Sequence, residues 1–374
     1  MVDLLQRLFG AAETADASDI HLTVDEPPYL RIGGRLVGTM DPRLTEEMIR
    51  QAFEPTLKSG ALNLYEERGY VDYAYEMQIQ RPDGRKRVRY RFHVYKTRGM
   101  MTGALRRINL QIPSFEELHL PPVYEKVVTA RPKGIIIVGG ETGSGKSTTL
   151  ACMVDYINEH WYKHIVTIED PIEYVIENRN SKINQREFGE DFGSYPEALR
   201  AVVREDPDVI MIGELRDGET VRAAVAAAET GHLVLTSLHT ASATEAFDRI
   251  LYFFPPNEEN SVRQNLSSTL IAIMSQMLLP CVDGFADTAG VKRVPGTEVL
   301  INTPVVREYI RDKDKEQDLA DLLTGELGGD LLGMHDFNFS LKYMADNEMV
   351  SRQNTIEASL RPEALRMQFK GLKV

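Results

Sequence analysis

The stretch Gly140-Glu141-Thr142-Gly143-Ser144-Gly145-Lys146-Ser147 decides the fold of this chain, because it fits the pattern G-x-x-x-x-G-K-[ST]. Its glycines let the backbone curl so that N–H groups point inward at phosphate oxygens. The apolar residues 134–138 precede it, which is typical of a strand. Apolar residues then recur at the spacing of one buried helix face: Leu150, Met153, Val154 and Ile157. This order predicts a site for the phosphates of a nucleoside triphosphate at the helix N-terminus.

The residues of this loop have separate expected roles. We expect Lys146 to reach the β- and γ-phosphates and the Ser147 hydroxyl to bind Mg²⁺. The predicted nucleotide-binding residues of the loop are Gly140, Thr142, Gly143, Ser144, Gly145, Lys146, Ser147 and Thr148. A phosphate loop by itself indicates a bound nucleoside triphosphate, but not the process that its hydrolysis drives.

Acidic residues follow two apolar strands downstream of the loop. Residues 209–212 lead to Glu214, and residues 165–168 lead to Glu169 and Glu173. Parallel strands deliver such acids to the carboxyl edge of a sheet, beside the phosphate loop. There they can hold Mg²⁺ through water and orient the attacking water. Taken singly, each acid is also consistent with a solvated strand end or a helix N-cap.

A further strand, residues 233–238, leads into His239. This histidine could hydrogen-bond the γ-phosphate or one of the acids and so report the state of the nucleotide. A lone histidine after a strand is more often structural, so the spacing leaves both interpretations open. Strands that alternate with helices from residue 134 onward predict an α/β fold with a mostly parallel sheet covered on both faces.

The first 110 residues have a different pattern, which predicts a small α+β domain. Residues 70–80 and 85–95 alternate between polar and apolar around Pro82-Asp83-Gly84, as in a β-hairpin. Helices are expected at residues 46–53 and 57–68.

One uncharged run, residues 264–282, is about long enough to span a bilayer. Several polar residues interrupt it, and Leu266, Leu270 and Met274 recur at helical spacing. The run is therefore predicted to be a buried helix of a folded domain.

Composition excludes several classes of protein. The chain has 374 residues, a formal charge of −13 and two cysteines, Cys152 and Cys281. Two cysteines exclude a disulfide scaffold and a cysteine-rich zinc module. Net acidity argues against a protein whose whole surface binds nucleic acid. No positively charged segment precedes an apolar run at the N-terminus, so a cytoplasmic location is expected.

Longer motifs surround the candidate residues. They read GETGSGKSTTLA (140–151), TIEDPIEYV (167–175), INQRE (183–187), REDPDVIMIGELRD (204–217) and AETGHLVLTSLHT (228–240), with ASDIHL (17–22) near the N-terminus. Together they resemble the secretion ATPase superfamily and, within it, the type IV pilus retraction ATPases of the PilT and PilU family.

The resemblance implies an architecture and partners. It implies a PAS-like domain over residues 1–110, a linker over 111–122, and a RecA-like ATPase domain with a C-terminal helical part over 123–374. It also implies a homohexamer on the cytoplasmic side of the inner membrane at the pilus base. Its partners would be an inner-membrane pilus platform protein and a paralogous ATPase.

The same resemblance assigns catalytic roles. Lys146 matches the Walker A lysine, and Ser147 matches the Mg²⁺ ligand. Glu173 matches the glutamate that acts as, or orients, the general base for water. Glu214 matches the Walker B glutamate near Mg²⁺, and His239 matches a conserved-motif histidine. How Glu173 and Glu214 divide the base and metal roles stays open.

Residues 85–107 carry nine basic side chains and no acid. They could form a solvated strand face, or a nucleic-acid patch, although the aromatic side chains there alternate away from the arginines. A third interpretation is that arginines reach the γ-phosphate of a neighbouring subunit. The resemblance supports the third interpretation for Arg89, Arg91 and Arg106.

The expected function is that of a hexameric Mg²⁺-dependent ATPase that powers type IV pilus retraction and twitching motility. The alternatives are an accessory PilU-like ATPase, an extension or type II secretion ATPase, a RecA-type nucleic-acid translocase, and a catalytically idle ring subunit. Extension and secretion relatives usually carry a four-cysteine zinc site, which two cysteines cannot build. The stretch VVREYIRD (305–312) departs from the retraction-linked motif AIRNLIRE, so primary and accessory roles both stay open. No nucleic acid is expected as a partner.

Overall fold

The computed structural model describes residues 4–57, 60–81, 84–108, 110–312, 319–323 and 333–372. The chain divides into two units, Met1–Gln111 and Ile112–Val374. Each unit has its own sheet and its own buried apolar core. Within the described ranges, we find no helix with both the length and the apolar character needed to cross a membrane.

In its described residues, the first unit consists of an antiparallel sheet with three helices. The helices are α1 (Leu4–Thr14), α2 (Glu46–Phe53) and α3 (Ala61–Arg68), with a 3₁₀ turn at Glu54–Thr56. The strands are β1 (Asp19–Leu22), β2 (Tyr29–Ile32), β3 (Arg35–Gly38), β4 (Tyr70–Arg81), β5 (Gly84–Thr97) and β6 (Met100–Ile108). Their order in the sheet is β3-β2-β1-β6-β5-β4, and every pairing is antiparallel.

The predicted hairpin is confirmed as β4 and β5. Tyr70 stands opposite Tyr95, and the pairing continues to the turn. The apolar side chains of β5 face the core, where Tyr90 stacks on Phe9 of α1 with ring centroids 4.1 Å apart. The predicted turn residues 82 and 83 lie outside the described residues.

The predicted helix at 46–53 is confirmed as α2, whereas the helix predicted at 57–68 begins only at Ala61. Gly60, which precedes α3, has φ of 90° in the left-handed region. A residue in that conformation cannot continue a right-handed helix, so the helix starts after it. Residues 58 and 59 lie outside the described residues.

The second unit alternates strands and helices. Its strands are β7 (Gly134–Gly139), β8 (His164–Glu169), β9 (Lys182–Glu187), β10 (Val209–Ile212), β11 (Leu233–Leu238), β12 (Leu270–Pro280) and β13 (Arg293–Ile301). Its first helices are α4 (Val123–Ala130), α5 (Lys146–His160), α6 (Tyr195–Val202), α7 (Gly218–Glu229), α8 (Ala243–Tyr252) and α9 (Glu259–Thr269). The remaining helices are α10 (Asp283–Ala289), α11 (Pro304–Arg311), α12 (Leu319–Leu323), α13 (Phe337–Asp346), α14 (Arg352–Ala358) and α15 (Pro362–Phe369).

These strands form one sheet in the order β13-β12-β7-β11-β10-β8-β9. All neighbours pair in parallel except β12 and β13, which are antiparallel. Ile135 and Ile137 of β7 pack with α6 to α9 on one face, and Ile136 and Val138 pack with α4 and α5 on the other. The predicted α/β fold with a mostly parallel, doubly covered sheet is confirmed. Because the strands are parallel, the segments after β7, β8, β10 and β11 emerge at one edge.

The helix predicted across residues 264–282 is wrong from Leu270 onward. The helix α9 ends at Thr269, and the following residues form β12. This strand lies between β7 and β13, so both of its faces are buried. A strand buried on both faces has no polar alternation, and its apolar run cannot be distinguished from a buried helix by periodicity.

Candidate phosphate-binding site

The predicted phosphate loop, residues 140–145, connects β7 to α5. Gly140, Gly143 and Gly145 have φ of 152°, 83° and 93°, a backbone conformation that other residues rarely adopt. A Cβ atom on Gly140 would also stand 2.6 Å from the carbonyl oxygen of Gln276. All three glycines therefore suit the curl of the loop, and Gly140 is also needed for its close approach to β12.

The loop ends at the N-terminus of α5, where Lys146 and Ser147 are the first helical residues. The backbone N–H groups and the positive end of the helix dipole at this point favour an anion. The Thr148 hydroxyl lies 2.9 Å from the hydroxyl of Tyr174, which follows β8. The structure thus gathers the predicted loop residues around one helix terminus.

Lys146 lies inside the curl of the loop. Its side chain is buried, and Nζ donates to the carbonyl oxygens of Gly140 at 2.7 Å and Glu141 at 3.0 Å. Burial lowers the pKa of Lys146, while the charges of Glu214 and Glu173 oppose that shift. Both predicted catalytic acids are therefore within electrostatic reach of the lysine.

Glu214 and His239, which follow β10 and β11, meet at the carboxyl edge. His239 Nε2 lies 2.8 Å from Glu214 Oε2. Arg216 binds Glu214 as well and donates to Asp170 Oδ2 at 3.0 Å, so it joins the ends of β10 and β8. Burial raises the pKa of Glu214, but Arg216 and His239 outweigh burial and hold that pKa below its ordinary value. Glu214 is thus kept ionised, as a metal-binding carboxylate must be.

Glu169 and Glu173 have different surroundings. Glu169 is buried at the end of β8, where Thr167 Oγ1 and Gln185 Nε2 donate to its Oε1 at 2.6 and 3.1 Å. Burial raises the pKa of Glu169 to about 7, against these hydrogen bonds. Glu173 is exposed. Of the two, Glu173 is the acid that solvent water can reach.

Two contacts at this site lie beyond the sequence-based assignments. Arg216, described above, lies within a quoted motif but received no role. Gln276 of β12 donates from Nε2 to the Ser144 carbonyl oxygen at 2.7 Å. Charge next to Glu214 could have drawn attention to Arg216, whereas Gln276 lies in the run that was predicted as a helix, and nothing local marks it.

The three arginines predicted to contact nucleotide lie in the first unit. Arg91 stands opposite Arg106 in the antiparallel pairing of β5 and β6, and Arg89 lies two residues before Arg91 on β5. Arg106 Nε donates to Asp19 Oδ1 at 3.0 Å. Arg106 therefore has a carboxylate partner within its own unit, whereas the Arg91 side chain is exposed to solvent.

The donor atoms beside the loop suit Mg²⁺. This ion is usually bound by one or two protein oxygens together with substrate phosphates and water, and Ser147 and Glu214 offer a hydroxyl and a carboxylate. In the part of the chain that the structure describes, no three His, Cys, Asp or Glu side chains form a group that could hold a metal ion. The residues present therefore fit an ion that phosphate oxygens help to hold.

Comparison with known protein families shows to which family the chain belongs. The family described as type II/IV secretion system protein matches residues 1–320. The chain belongs to this family. The resemblance to secretion ATPases that the motifs predicted is thereby confirmed.

Several known proteins match nearly the whole chain. The chain is similar to the type IV pilus retraction ATPase PilT of Pseudomonas aeruginosa, with 37% identity over 97% of this chain and 99% of that relative. It is 34% identical to the type IV pilus ATPase PilU of the same organism, over 94% of this chain and 88% of the relative. A crystal structure of the pilus retraction motor PilT with bound ADP superposes with a TM-score of 0.85 at 40% identity, over 97% and 98% of the two chains.

A solved structure of another ATPase is also similar. The Legionella pneumophila ATPase DotB superposes with a TM-score of 0.75 at 28% identity, over 94% of each chain.

Proposed function

We propose that this chain is an ATP hydrolase that powers type IV pilus retraction. One observation carries the proposal: the chain matches PilT along 97% of its own length and 99% of the relative's length, at 37% identity. The phosphate loop, its lysine and the acids at the carboxyl edge all lie within the matched family region. The reaction is the hydrolysis of ATP to ADP and phosphate.

The geometry supports a division of roles. The loop N–H groups and Lys146 bind the β- and γ-phosphates, and Ser147 and Glu214 would hold Mg²⁺. Bound Mg²⁺ supplies charge that stabilises the transferring phosphoryl group. Glu173 is exposed and accepts the proton of the attacking water, whereas Glu214, held by Arg216 and His239, would serve as the carboxylate ligand of Mg²⁺.

The finer architecture belongs to the same proposal. Residues 1–110 form a PAS-like domain, 111–122 a linker and 123–374 a RecA-like motor with a C-terminal helical part. The chains assemble as a homohexamer at the cytoplasmic face of the inner membrane, where the ring contacts a pilus platform protein and a paralogous ATPase. Arg89, Arg91 and Arg106 reach the nucleotide of a neighbouring subunit, where they stabilise charge on the γ-phosphate.

A second candidate is an accessory role like that of PilU. The chain is 34% identical to PilU, close to its 37% identity to PilT. In addition, α11 carries VVREYIR where the retraction motif has AIRNLIR, as the sequence showed. An accessory ATPase would hydrolyse ATP at the same site but would depend on a paralogous motor for retraction.

The proposal is tested in a deletion strain and in vitro. Hyperpiliated, non-motile cells are expected on deletion, whereas bald cells would point to extension.

A wild-type copy restores motility, but Lys146→Ala does not, because the loop loses its phosphate-binding charge. Lys133→Ala, at an exposed lysine just before β7, is the matched control. Undiminished ATPase activity of purified Lys146→Ala would overturn the assignment, and rescue that needs a coexpressed paralogue would favour the accessory role.

A further inference from the structure

One buried side chain of β12 spans the phosphate loop. Gln276 is 3% exposed. Its Nε2 donates to the carbonyl oxygen of Ser144 at 2.7 Å, and its Oε1 accepts from the hydroxyl of Thr149 at 2.9 Å. Ser144 lies within the loop and Thr149 in the first turn of α5. The side-chain amide of Gln276 therefore connects both the loop and the first turn of α5 to the sheet by hydrogen bonds.

The loop is shaped around this residue. A Cβ atom on Gly145 would stand 3.1 Å from Gln276 Nε2, and one on Gly140 would stand 2.6 Å from the Gln276 carbonyl oxygen. The absence of a side chain at these two glycines therefore leaves space for Gln276, in addition to permitting the curl of the backbone. The loop cannot move away from β12 without breaking the hydrogen bond that Gln276 donates to the Ser144 carbonyl.

The amide is itself held in place. The preceding residue, Ser275, pairs with Gly139 at the end of β7, and Gln276 stands opposite Thr297 of β13. The backbone of Gln276 is therefore fixed in the sheet. Without the amide, the Ser144 carbonyl and the Thr149 hydroxyl would be buried without these partners, which costs more than a hydrogen bond at the surface.

We propose that Gln276 is a positioning residue for nucleotide binding, which holds Ser144 and Thr149 so that the loop N–H groups keep their anion-binding geometry. The inference rests on the proposed ATP site. Gln276 acts through the loop, so its loss weakens nucleotide binding more than it slows the chemical step.

The first test is Gln276→Met in the full-length chain, which keeps an unbranched side chain of similar size but removes both hydrogen bonds. Binding of mant-ADP in the presence of Mg²⁺ is measured by fluorescence, and KM and kcat for ATP by steady-state assay. We expect Kd and KM to rise about tenfold, with kcat changed by less than about twofold. Gln264→Met, at an exposed position on α9, is the matched control and leaves both constants unchanged.

Gln276→Glu provides a readout that a merely structural role would not move. A protonated carboxyl group can donate to the Ser144 carbonyl, whereas an ionised one can only accept. The mant-ADP affinity of this variant is therefore expected to approach the wild-type value as the pH falls from about 8 to about 5.5. Thermal melts of each variant are recorded first, and all binding measurements are made at a temperature at which every variant is folded.

Wild-type affinity in folded Gln276→Met would overturn the inference, and so would the absence of any pH-dependent recovery in Gln276→Glu. Failure of the wild-type chain to bind mant-ADP would instead overturn the proposed function. The two failures are thus distinguishable.

Discussion

His239 Nε2 lies 2.8 Å from Glu214 Oε2, so the segments that follow β11 and β10 are joined directly at the carboxyl edge of the sheet. The helix α8 begins at Ala243, after only residues 240–242. The contact therefore joins Glu214 to a residue that is separated from α8 by only three residues. This contact gives the histidine a chemical partner, which its position in the sequence left undecided.

We expect His239→Ala to lower kcat by about 10²-fold, an effect at the lower end of those seen for positioned acid–base groups. The variant removes one of the two groups that orient Glu214 and raises the pKa of that acid. Steady-state ATPase assays measure the effect. His160→Ala, at the exposed end of α5, serves as the control, and an unchanged kcat in His239→Ala would contradict the prediction.

Glu173→Gln and Glu214→Gln should both reduce turnover strongly while still permitting ATP binding. Glu173→Gln is expected to lower kcat by about 10²- to 10⁴-fold with the Mg²⁺ requirement unchanged, because it removes the proton acceptor. Glu214→Gln should in addition raise the Mg²⁺ concentration needed for half-maximal activity. ATPase activity is measured for both variants as the Mg²⁺ concentration is varied. Glu197→Gln, at an exposed position, is the control. If Glu173→Gln instead raised the Mg²⁺ requirement and Glu214→Gln did not, Glu173 would be the metal ligand and Glu214 the general base.

Arg91→Ala is expected to lower kcat for ATP hydrolysis by about 10³-fold when every subunit carries the substitution. Arginines that contact a transferring phosphoryl group have effects of this size. Mixing it with Lys146→Ala should restore part of the activity, since mixed rings contain interfaces where an intact loop faces an intact arginine. The exposed Arg85→Ala is the control. Mixtures with no recovery would show that Arg91 does not act across subunits.

Glu298 provides a pH-dependent test of stability. It is buried on β13, and the N–H group of Ala243 at the start of α8 donates to its Oε1 at 2.7 Å. Burial raises the pKa of Glu298 to about 7; the charge of Asp336 adds to the shift, and the charge of Arg361 opposes it. The folded state therefore binds more protons than the unfolded state between pH 4.5 and about 7.

The stability that this group contributes is fully present below its unfolded pKa of 4.5 and is lost as the pH rises through about 7. Glu298→Gln cannot ionise and should escape that loss. Its free energy of unfolding, relative to wild type, is expected to increase by roughly 2 kcal/mol between about pH 5 and pH 8. Urea melts measure the difference, with the exposed Glu363→Gln as control. Parallel pH profiles for variant and wild type would contradict the prediction.

Much of the second unit could be predicted because its signals are local. Residues 134–138 and 209–212 are short apolar runs that end at glycine, and each became a buried strand of the parallel sheet. The hairpin of the first unit was equally readable, since alternation over two runs of the chain fixes which side chains face the core. The start of α3 was misplaced because a left-handed glycine at position 60 overrides helix-compatible neighbours.

The misassigned helix and the missed Gln276 both concern β12. An apolar run has the same composition whether it is a helix or a strand covered on both faces, and only its neighbours β7 and β13 distinguish the two. Once that strand was missed, Gln276 could not be recognised, because its partner Ser144 lies 132 residues earlier in the chain. Glu298 was missed for the same reason, since its hydrogen-bond partner Ala243 lies 55 residues away.

The sequence by itself determined the phosphate loop, because eight consecutive residues contain the glycines, the lysine and the hydroxyl that the loop needs. It also determined which acids and which histidine end the neighbouring strands. Only the tertiary structure decided their partners: His239 on Glu214, Arg216 between Glu214 and Asp170, and Gln276 beneath the loop. Backbone conformation depends on adjacent residues, whereas these contacts depend on the order of strands in the sheet, which brings distant segments to one edge.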